Sequence, residues 1–583
     1  DATIALKAGN EVDGVVVDLP NDIFVEAVGI TGGLYISENG NISLTATGED
    51  ISGVYAKAKE GWVMLETKNG YDIIGSTADA YLEAKLISSG EIVDSAAISQ
   101  TMWEDPVTFI PDPTVVMASL QAVGDISGSV AYAAAGSASI VSTAGNIDNS
   151  SIMAAAEVTL EALQGMISES TATAGTNVDV DAISVVNSLL NAQAGYVNLT
   201  ADIADNVNIF AGGDDAAGRG VYAVIGKDVI GGEWVADNGD IKVEGALARI
   251  SGTDFNAQGK VFLTVNPAPL DPTAYGIVEN VNIMSEWETE VFAKTMIVNT
   301  TVVSVRENVT MTGGLITGAN VTAHNTAKLV TTGASQLGGD LINSNIEGSK
   351  VFATVAGNIS GVSADADVRA ELIADKNITA TTVKTGTDVI VMTAGGLIQG
   401  SSAMSGKNMI LTAGTEIDGS DFTAVEDITV TATDLAASSF ISEKGAITVG
   451  PLANIIDSTI WAKEGAISIG GATGVTDEID GSTISAGTTL TLLANWVVGS
   501  SLITEDGLLN VDAQTIDGSE LLSKKQDIFL KIDVLNDTSL AAATNIDVDG
   551  VSILTSTITA SSMSAKTGNV TVDDFLTVNA LTV

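Results

Sequence analysis

The chain is notable first for the residues that it lacks. Its 583 residues include no cysteine, one histidine and only 24 lysines and arginines. Without cysteine, a disulfide framework, a thiolate zinc site and a cysteine nucleophile are all excluded. Its four arginines are scattered, whereas binding to nucleic-acid phosphates needs clustered basic residues. No apolar run approaches the roughly 18 residues that span a bilayer, so the sequence predicts neither a nucleic-acid partner nor a membrane span.

Acidic and small apolar residues are abundant instead. There are 73 aspartates and glutamates, giving a net charge of −49, yet 45% of the residues are hydrophobic and 60 are glycine. A disordered acidic chain would be poor in apolar residues. The sequence therefore predicts a folded protein that turns its acids outward and suits cations or basic partners.

A repeat of about 20 residues runs through the chain. Between Gly386 and Leu530 each repeat opens with two apolar residues two positions apart, and successive repeats are 19 to 23 residues apart. The pairs are Val389/Val391, Met409/Leu411, Ile428/Val430, Ile447/Val449, Ile467/Ile469, Leu490/Leu492, Leu509/Val511 and Ile528/Leu530. This alternation is typical of a strand with one buried face.

A second signature follows in each repeat: an apolar residue, a small or acidic residue, and serine, as in Ile417-Asp418-Gly419-Ser420. Glycine and aspartate tolerate positive φ, so this signature predicts a tight corner. We expect the serines at this position to hydrogen-bond between coils and fix their register, and we expect the residue two positions later to point inward. The serines are Ser420, Ser458, Ser482, Ser500 and Ser519, and the inward residues are Phe422, Ile460, Ile484, Leu502 and Leu521.

Strand, corner and strand make one coil of an all-β, right-handed parallel β-helix, a β-solenoid. The same pattern appears near the start of the chain, in Gly40-Asn41-Ile42-Ser43-Leu44-Thr45-Ala46. We therefore interpret residues 1–583 as a single continuous solenoid of roughly 29 coils, about 140 Å long at one strand spacing per coil. Both ends lie inside the pattern, which predicts either a segment of a longer solenoid or a subunit that stacks end to end.

Repeats such as residues 40 to 46, Asn-Met-Ile-Leu-Thr-Ala-Gly-Thr-Glu-Ile-Asp-Gly-Ser at 408 to 420 and Gly-Asn-Val-Thr-Val at 568 to 572 carry a family resemblance. They resemble the repeats of filamentous haemagglutinin-type adhesins, the large exported β-helical surface proteins of bacteria. The resemblance implies an extracellular or cell-surface fibre with adhesive or structural roles. The chain contains no counterpart of that family's N-terminal secretion domain.

Two proline clusters predict loop insertions at 101–115 and 265–290, because proline cannot donate to a strand ladder. Candidate contact residues in or beside them are Trp103, Asp105, Asp112, Trp287 and Glu288, which could bind glycans or a host or neighbouring cell surface. The alternative is that these loops have no partner.

A β-helix could carry two kinds of chemistry, polysaccharide degradation and cation binding. Polysaccharide-degrading β-helix proteins need acidic and basic side chains that converge on one site. The only histidine, His324, is expected on the surface, and no arginine lies near another in the sequence. We therefore predict no enzyme activity and no cofactor. Corner acids could form a column that binds Ca²⁺, although solvated surface acids are the alternative. The column candidates are Asp418, Asp457, Asp480 and Asp517.

Outward threonines and serines on the first strand also raise ice binding, but we expect Met392, Ile410 and Asn510 to interrupt that array. The sequence thus predicts a structural extracellular protein, a segment or subunit of a surface fibre, adhesin or sheath. Its partners would be further coils or other copies of itself. The alternative is a carbohydrate-binding or polysaccharide-degrading β-helix protein.

Overall fold

The computed structural model describes residues 3–100, 115–267, 275–333, 338–450, 452–470, 474–550, 557–559, 561–575, 577–579 and 583. Within these ranges the regular secondary structure is β-strand, arranged as a parallel β-solenoid of about 27 turns with roughly 20 residues per turn. The predicted all-β solenoid is confirmed, with about 27 turns instead of 29. Some turns are longer than 20 residues; Val197, for example, pairs with Val221. By internal contacts the chain divides into two compact units, Asp1–Glu307 and Asn308–Val583.

Each coil contributes to three parallel ladders, which we call the first, corner and third sheets. In one coil, for example, these strands are Ile42–Ala46, Ile51–Ser52 and Tyr55–Ala58. Each pairs in parallel with the equivalent strand of the next coil. Elsewhere a single long strand continues from one sheet into the next.

In unit 1 the first sheet comprises Ile4–Lys7, Ile23–Ala27, Ile42–Ala46, Val63–Thr67, Ala84–Ser88, Val116–Ala122, Ser137–Ser142, Asp240–Glu244 and Val261–Val265. Strands that continue from the first into the corner sheet are Val158–Ser168, Val178–Val186, Val197–Asp205, Arg219–Ile230 and Thr289–Val298. The separate corner strands are Val12–Asp13, Ile30–Thr31, Ile51–Ser52, Ile73–Ile74, Ile92–Val93, Ile126–Ser127, Ile147–Asp148, Arg249–Ser251 and Ile277–Glu279. The third sheet comprises Val16–Leu19, Leu34–Ser37, Tyr55–Ala58, Thr77–Ala80, Ala96–Ser99, Val130–Ala133, Ser151–Ala154, Thr171–Ala174, Leu189–Ala192, Asn208–Ala211, Glu233–Ala236, Asp254–Ala257, Asn282–Ser285 and Thr301–Ser304.

In unit 2 the first sheet comprises Ile390–Ala394, Met409–Ala413, Ile428–Thr431, Ile447–Val449, Ile467–Ile469, Ile546–Gly550 and Val570–Asp573. First-to-corner strands are Val309–Thr317, Leu490–Val498, Leu509–Asp517 and Ile528–Asn536, and third-to-first strands are Asn320–Thr331, Asn345–Val355 and Ser363–Ala374. The separate corner strands are Leu341–Ile342, Ile359–Ser360, Ile378–Thr379, Ile398–Gln399, Glu416–Asp418, Asp434–Ala436, Asn454–Ile456, Thr476–Asp480, Thr557–Thr559 and Thr577–Asn579. The third sheet comprises Thr382–Thr385, Ser402–Ser405, Asp421–Ala424, Ser439–Ser442, Thr459–Ala462, Thr483–Ala486, Ser501–Thr504, Glu520–Ser523, Ser539–Ala542 and Ser562–Ala565.

The core of each unit consists of stacked aliphatic columns. Met409 and Leu411 are fully buried and pair in register with Ile428 and Val430 of the next coil. The predicted inward residues of the third sheet are also buried, and Phe422 stacks on Phe440 with ring centroids 5.4 Å apart. Because side chains alternate with a period of two, a register error of one residue in a strand would turn all of its inward side chains outward.

One predicted register is wrong. In the apolar run Val389–Met392, the buried pair is Ile390 and Met392, while Val391 is outward. Four consecutive apolar residues leave the alternation ambiguous, and pairing of Met392 with Leu411 settles it. Met392 therefore points inward. The expectation that it interrupts the outward array of threonines and serines is wrong.

The predicted corners are confirmed, because Gly419 has φ +54° and equivalent residues in other coils are also left-handed. The serine after each corner is buried and joins two coils. The Oγ atom of Ser420 accepts the Ser401 N–H at 3.1 Å and donates to the Asp418 carbonyl at 2.9 Å. Equivalent bonds link Ser420 to Ser438, Ser438 to Ser458, Ser458 to Ser482, Ser482 to Ser500 and Ser500 to Ser519. We call this row the serine ladder.

Side-chain oxygens also bind the backbone of the next coil at the turns between sheets. At the turn that enters the corner sheet, Asp72 Oδ1 accepts the Glu91 N–H at 2.7 Å. The residue beside this contact is Gly90, where a Cβ atom would lie 2.1 Å from Asp72 Oδ1. At the turn that enters the first sheet, Asn41 Oδ1 accepts the Trp62 N–H at 3.0 Å. Steric exclusion and hydrogen bonding together explain the recurrent glycine followed by asparagine or aspartate.

The second insertion is shorter than 265–290. Ile277–Glu279 and Asn282–Ser285 are strands of the solenoid, paired with Arg249–Ser251 and Asp254–Ala257. Only the connection from Val265 to Ile277 is longer than its counterpart in the preceding coil, from Glu244 to Arg249. The proline cluster marked the insertion, but the strands after it lack a clear alternating pattern. Apart from residue 115, the predicted insertion 101–115 lies outside the described residues.

Candidate functional site

Trp287 and Glu288 lie in an ordinary turn between Asn282–Ser285 and Thr289–Val298, and not on a protruding loop. The Trp287 N–H donates to the Gly259 carbonyl at 3.3 Å, so the turn is bonded to the preceding coil. The indole is 43% exposed and has the Arg306 guanidinium 5.5 Å from its ring centroid. Glu288 forms an ion pair with Lys260 at 3.1 Å. This turn therefore presents a partly exposed indole beside the Arg306 guanidinium and the Glu288–Lys260 ion pair.

The other three candidate contact residues, Trp103, Asp105 and Asp112, lie outside the described residues. Their predicted role in contacts remains a prediction.

The corner acids do not form one column. Asp418, Asp480 and Asp517 occupy equivalent outward positions, separated by residues of other types. Asp457 is one position later, at the left-handed corner residue with φ +49°, where Gly419 and Gly481 stand in other coils. The buried serine sets this alignment: Ser458 continues the serine ladder, so Asp457 must match Gly419.

Amide side chains of adjacent coils partner two of these acids. Gln399 Nε2 donates to Asp418 Oδ2 at 2.8 Å, and Asn536 Nδ2 donates to Asp517 Oδ1 at 2.8 Å. Near Asp418, burial together with Asp418 and Asp434 raises the pKa of Glu416. Across the described part of the chain, no group of three or more histidine or acidic side chains has metal-binding geometry. Asp418 and Asp517 thus each accept a hydrogen bond from an amide of the adjacent coil.

His324 is exposed, as expected, and lies on the strand Asn320–Thr331. Glu347 and Asp365, at neighbouring outward positions of the next two coils, line the same shallow depression of about 420 Å³. This is where the chain's only imidazole approaches carboxylates. This grouping could not be predicted from the sequence, because His324, Glu347 and Asp365 lie on three different coils, 18 to 41 positions apart.

The loop around Asp215 was also difficult to predict from the sequence, because its glycine-rich segment matches no nucleotide-binding fingerprint. In the structure, hydrogen bonds to the Asp215 carboxylate close this loop. Asp215 Oδ1 accepts the N–H groups of Ala217 and Arg219 at 2.8 and 2.9 Å. Asp215 Oδ2 accepts from Arg219 Nε at 2.8 Å, and this bond raises the pKa of Arg219. The loop thus holds one arginine at the edge of the first sheet.

Comparison with known proteins adds no relative. No family model matches the chain, and no curated protein matches it. The resemblance to filamentous haemagglutinin-type repeats therefore rests on the repeat motif, and only the β-solenoid fold that it implies is established. None of the described residues belongs to a helix that could cross a membrane.

Proposed function

We propose that the protein is a structural, non-enzymatic component of an extracellular surface fibre, adhesin or sheath. The observation that carries this proposal is the continuity of coil-to-coil bonding. Adjacent coils share three parallel backbone ladders, and the buried serine ladder adds a side-chain bond at most corners of unit 2. A coil that unfolds from the stack must break all of its hydrogen bonds to the neighbouring coil together, so the chain resists the unfolding of single coils.

The distribution of charge also supports this proposal. Among the described residues, Asp79 is the only charged side chain that is buried, and it is bound by Tyr55, Lys57 and Gln100. Many lysines pair with an acid of the adjacent coil, as Lys463 does with Glu443 at 2.6 Å. The other acids among the described residues are at least partly exposed, where their charge favours solubility and limits lateral aggregation.

Two experiments test this function. Protease treatment of intact cells that produce the protein should degrade it without lysis, and protection from protease until lysis would contradict a surface location. The purified chain should leave acidic polysaccharides intact in the presence of Ca²⁺. Depolymerisation that a single acid-to-amide change abolishes would contradict a non-enzymatic role.

A second candidate, carbohydrate binding, is favoured by the exposed indole of Trp287 on a rigid turn. Aromatic rings supply a flat apolar surface with little loss of conformational freedom. Trp287→Ala should then weaken binding to immobilised glycans, while Trp461→Ala, which removes an indole of similar exposure in unit 2, should not. Equal binding by both variants and the parent protein would exclude Trp287 as the contact.

A further inference from the structure

A groove lies on the first sheet of unit 1 beside the loop that Asp215 closes. Val197 and Val221 occupy the same column 24 residues apart, compared with 19 for Val178 and Val197, so this coil carries extra residues that its neighbour lacks. Insertions that interrupt a regular repeat commonly form binding surfaces, because the scaffold holds them rigid.

Cationic, aromatic and acidic side chains line this groove together. The Arg219 guanidinium and the Lys242 ammonium lie 4.0 and 5.5 Å from the Tyr222 ring centroid, and the Tyr222 hydroxyl donates to Glu244 at 2.6 Å. Asp179, Asp181 and Glu161, which we call the floor carboxylates, line the same depression of about 350 Å³ as Arg219 and Tyr222. Because Asp215 already partners Arg219, the three floor carboxylates leave the groove negative.

Aromatic side chains continue along the same face. Tyr222, Lys242 and Phe262 occupy one outward row in three successive coils. Phe292 lies in the adjacent row of the next coil and is 38% exposed. Tyr222 and Phe262 are thus about 10 Å apart along the stack of coils, at one strand spacing per coil. The result is a track of aromatic and polar groups across several coils.

We propose that this track binds a linear polysaccharide of neutral or amino sugars, with the groove at Tyr222 as its main subsite. Aromatic rings pack against the apolar faces of sugar rings, while carboxylates accept hydrogen bonds from hydroxyl and ammonium groups. The floor carboxylates repel uronate and sulfate groups, so acidic polysaccharides are excluded. A repeating surface suits a repeating polymer, because neighbouring subsites can bind one chain together. This inference does not depend on the structural role proposed above, and it specifies the second candidate function, carbohydrate binding, at a surface that does not include Trp287.

The test is calorimetric titration of the full chain with hexamers of β-1,4-linked glucose, glucosamine and galacturonic acid. We expect the glucosamine and glucose hexamers to bind, and the galacturonate hexamer not to bind. Raising the salt concentration should weaken glucosamine binding more than glucose binding, because screening reduces only the charge attraction. Failure of both the glucose and glucosamine hexamers to bind, or preference for galacturonate, would overturn the proposal.

Two variants locate the site. Tyr222→Ala and Asp181→Asn should each reduce the association constant at least tenfold. Tyr132→Ala, which removes a tyrosine from the third sheet, should leave binding unchanged and serves as the control. Tyr222→Phe keeps the ring and should retain most of the affinity, which separates ring contact from misfolding. Unchanged affinity of Tyr222→Ala and Asp181→Asn, or competition by a lysine-rich peptide but by no glycan, would refute the assignment.

Discussion

Removing one hydroxyl from the serine ladder tests whether this ladder stabilises the solenoid. Ser482 is buried, its Oγ atom accepts the Ser458 N–H at 3.1 Å, and its hydroxyl donates to the Asp480 carbonyl at 2.9 Å. In Ser482→Ala these two bonds and the longer one to the Ile455 carbonyl at 3.3 Å are lost, and the Ser458 N–H remains buried without an acceptor. Burying an unpaired donor costs about 1–3 kcal/mol, so we expect a local loss of about 2 kcal/mol.

The effect should be local, since a repeat protein is stabilised mainly by contacts between neighbouring coils. Hydrogen exchange followed by mass spectrometry measures it directly. A loss of about 2 kcal/mol corresponds to roughly 30-fold faster exchange of the amides around Ser458. Peptides several coils away should exchange as in the parent protein.

Two further variants provide the controls for this experiment. Ser485→Ala changes an outward serine of the same coil and should have little effect. Ser482→Thr keeps a hydroxyl that can accept the same N–H, and it should preserve protection; at the equivalent position of another coil the Thr381 hydroxyl is accommodated and donates to the Thr379 carbonyl at 2.9 Å. Equal exchange in Ser482→Ala and Ser485→Ala would refute a stabilising role for the ladder.

Three other perturbations have definite expected outcomes. Tyr35→Phe should raise the free energy of unfolding by about 1 kcal/mol in a denaturant titration, because the buried Tyr35 hydroxyl has no hydrogen-bond partner; a decrease would show that the hydroxyl is satisfied. Gly90→Ala should destabilise unit 1 by about 2 kcal/mol or more, because its Cβ atom would displace the Asp72 carboxylate, whereas Gly9→Ala meets no atom within 4 Å and should be nearly neutral; equal midpoints would contradict this reasoning. Hydrogen bonds from Thr544 and Asn545 lower the pKa of Asp527, so its contribution to stability is present above about pH 4 and is lost as the pH falls through the lowered pKa. Asp527→Asn should therefore lose less stability than the parent protein between pH 6 and pH 3, and an identical loss would exclude this contribution.

The repeat made most of the fold predictable. Apolar residues two positions apart predicted the buried columns of the first sheet, and the serine after each corner predicted a buried contact between coils. Both signals are local, because one coil repeats the same physical problem as the next. The prediction failed at Val389–Met392, where every residue is apolar and only pairing with the neighbouring coil fixes the register.

The candidate site was less predictable, because it depends on residues brought together across coils. Asp457 looked equivalent to Asp418, but the buried serine places it one position later. Trp287 looked like a loop residue because prolines precede it, yet its turn is bonded to the preceding coil. The groove at Tyr222 combines residues of four strands, and the glycine-rich segment beside it was the only sequence signal of an irregular coil.

As a structural fibre component, the protein should resist mechanical tension through the bonds between its repeated coils. Single-molecule force spectroscopy, with handles at Asp1 and Val583, tests it most directly. We predict a series of unfolding steps, each a multiple of one coil, with about 70 Å of contour length released for every 20 residues. Smooth extension at the low forces typical of an unstructured chain, or steps unrelated to the coil length, would contradict the claim.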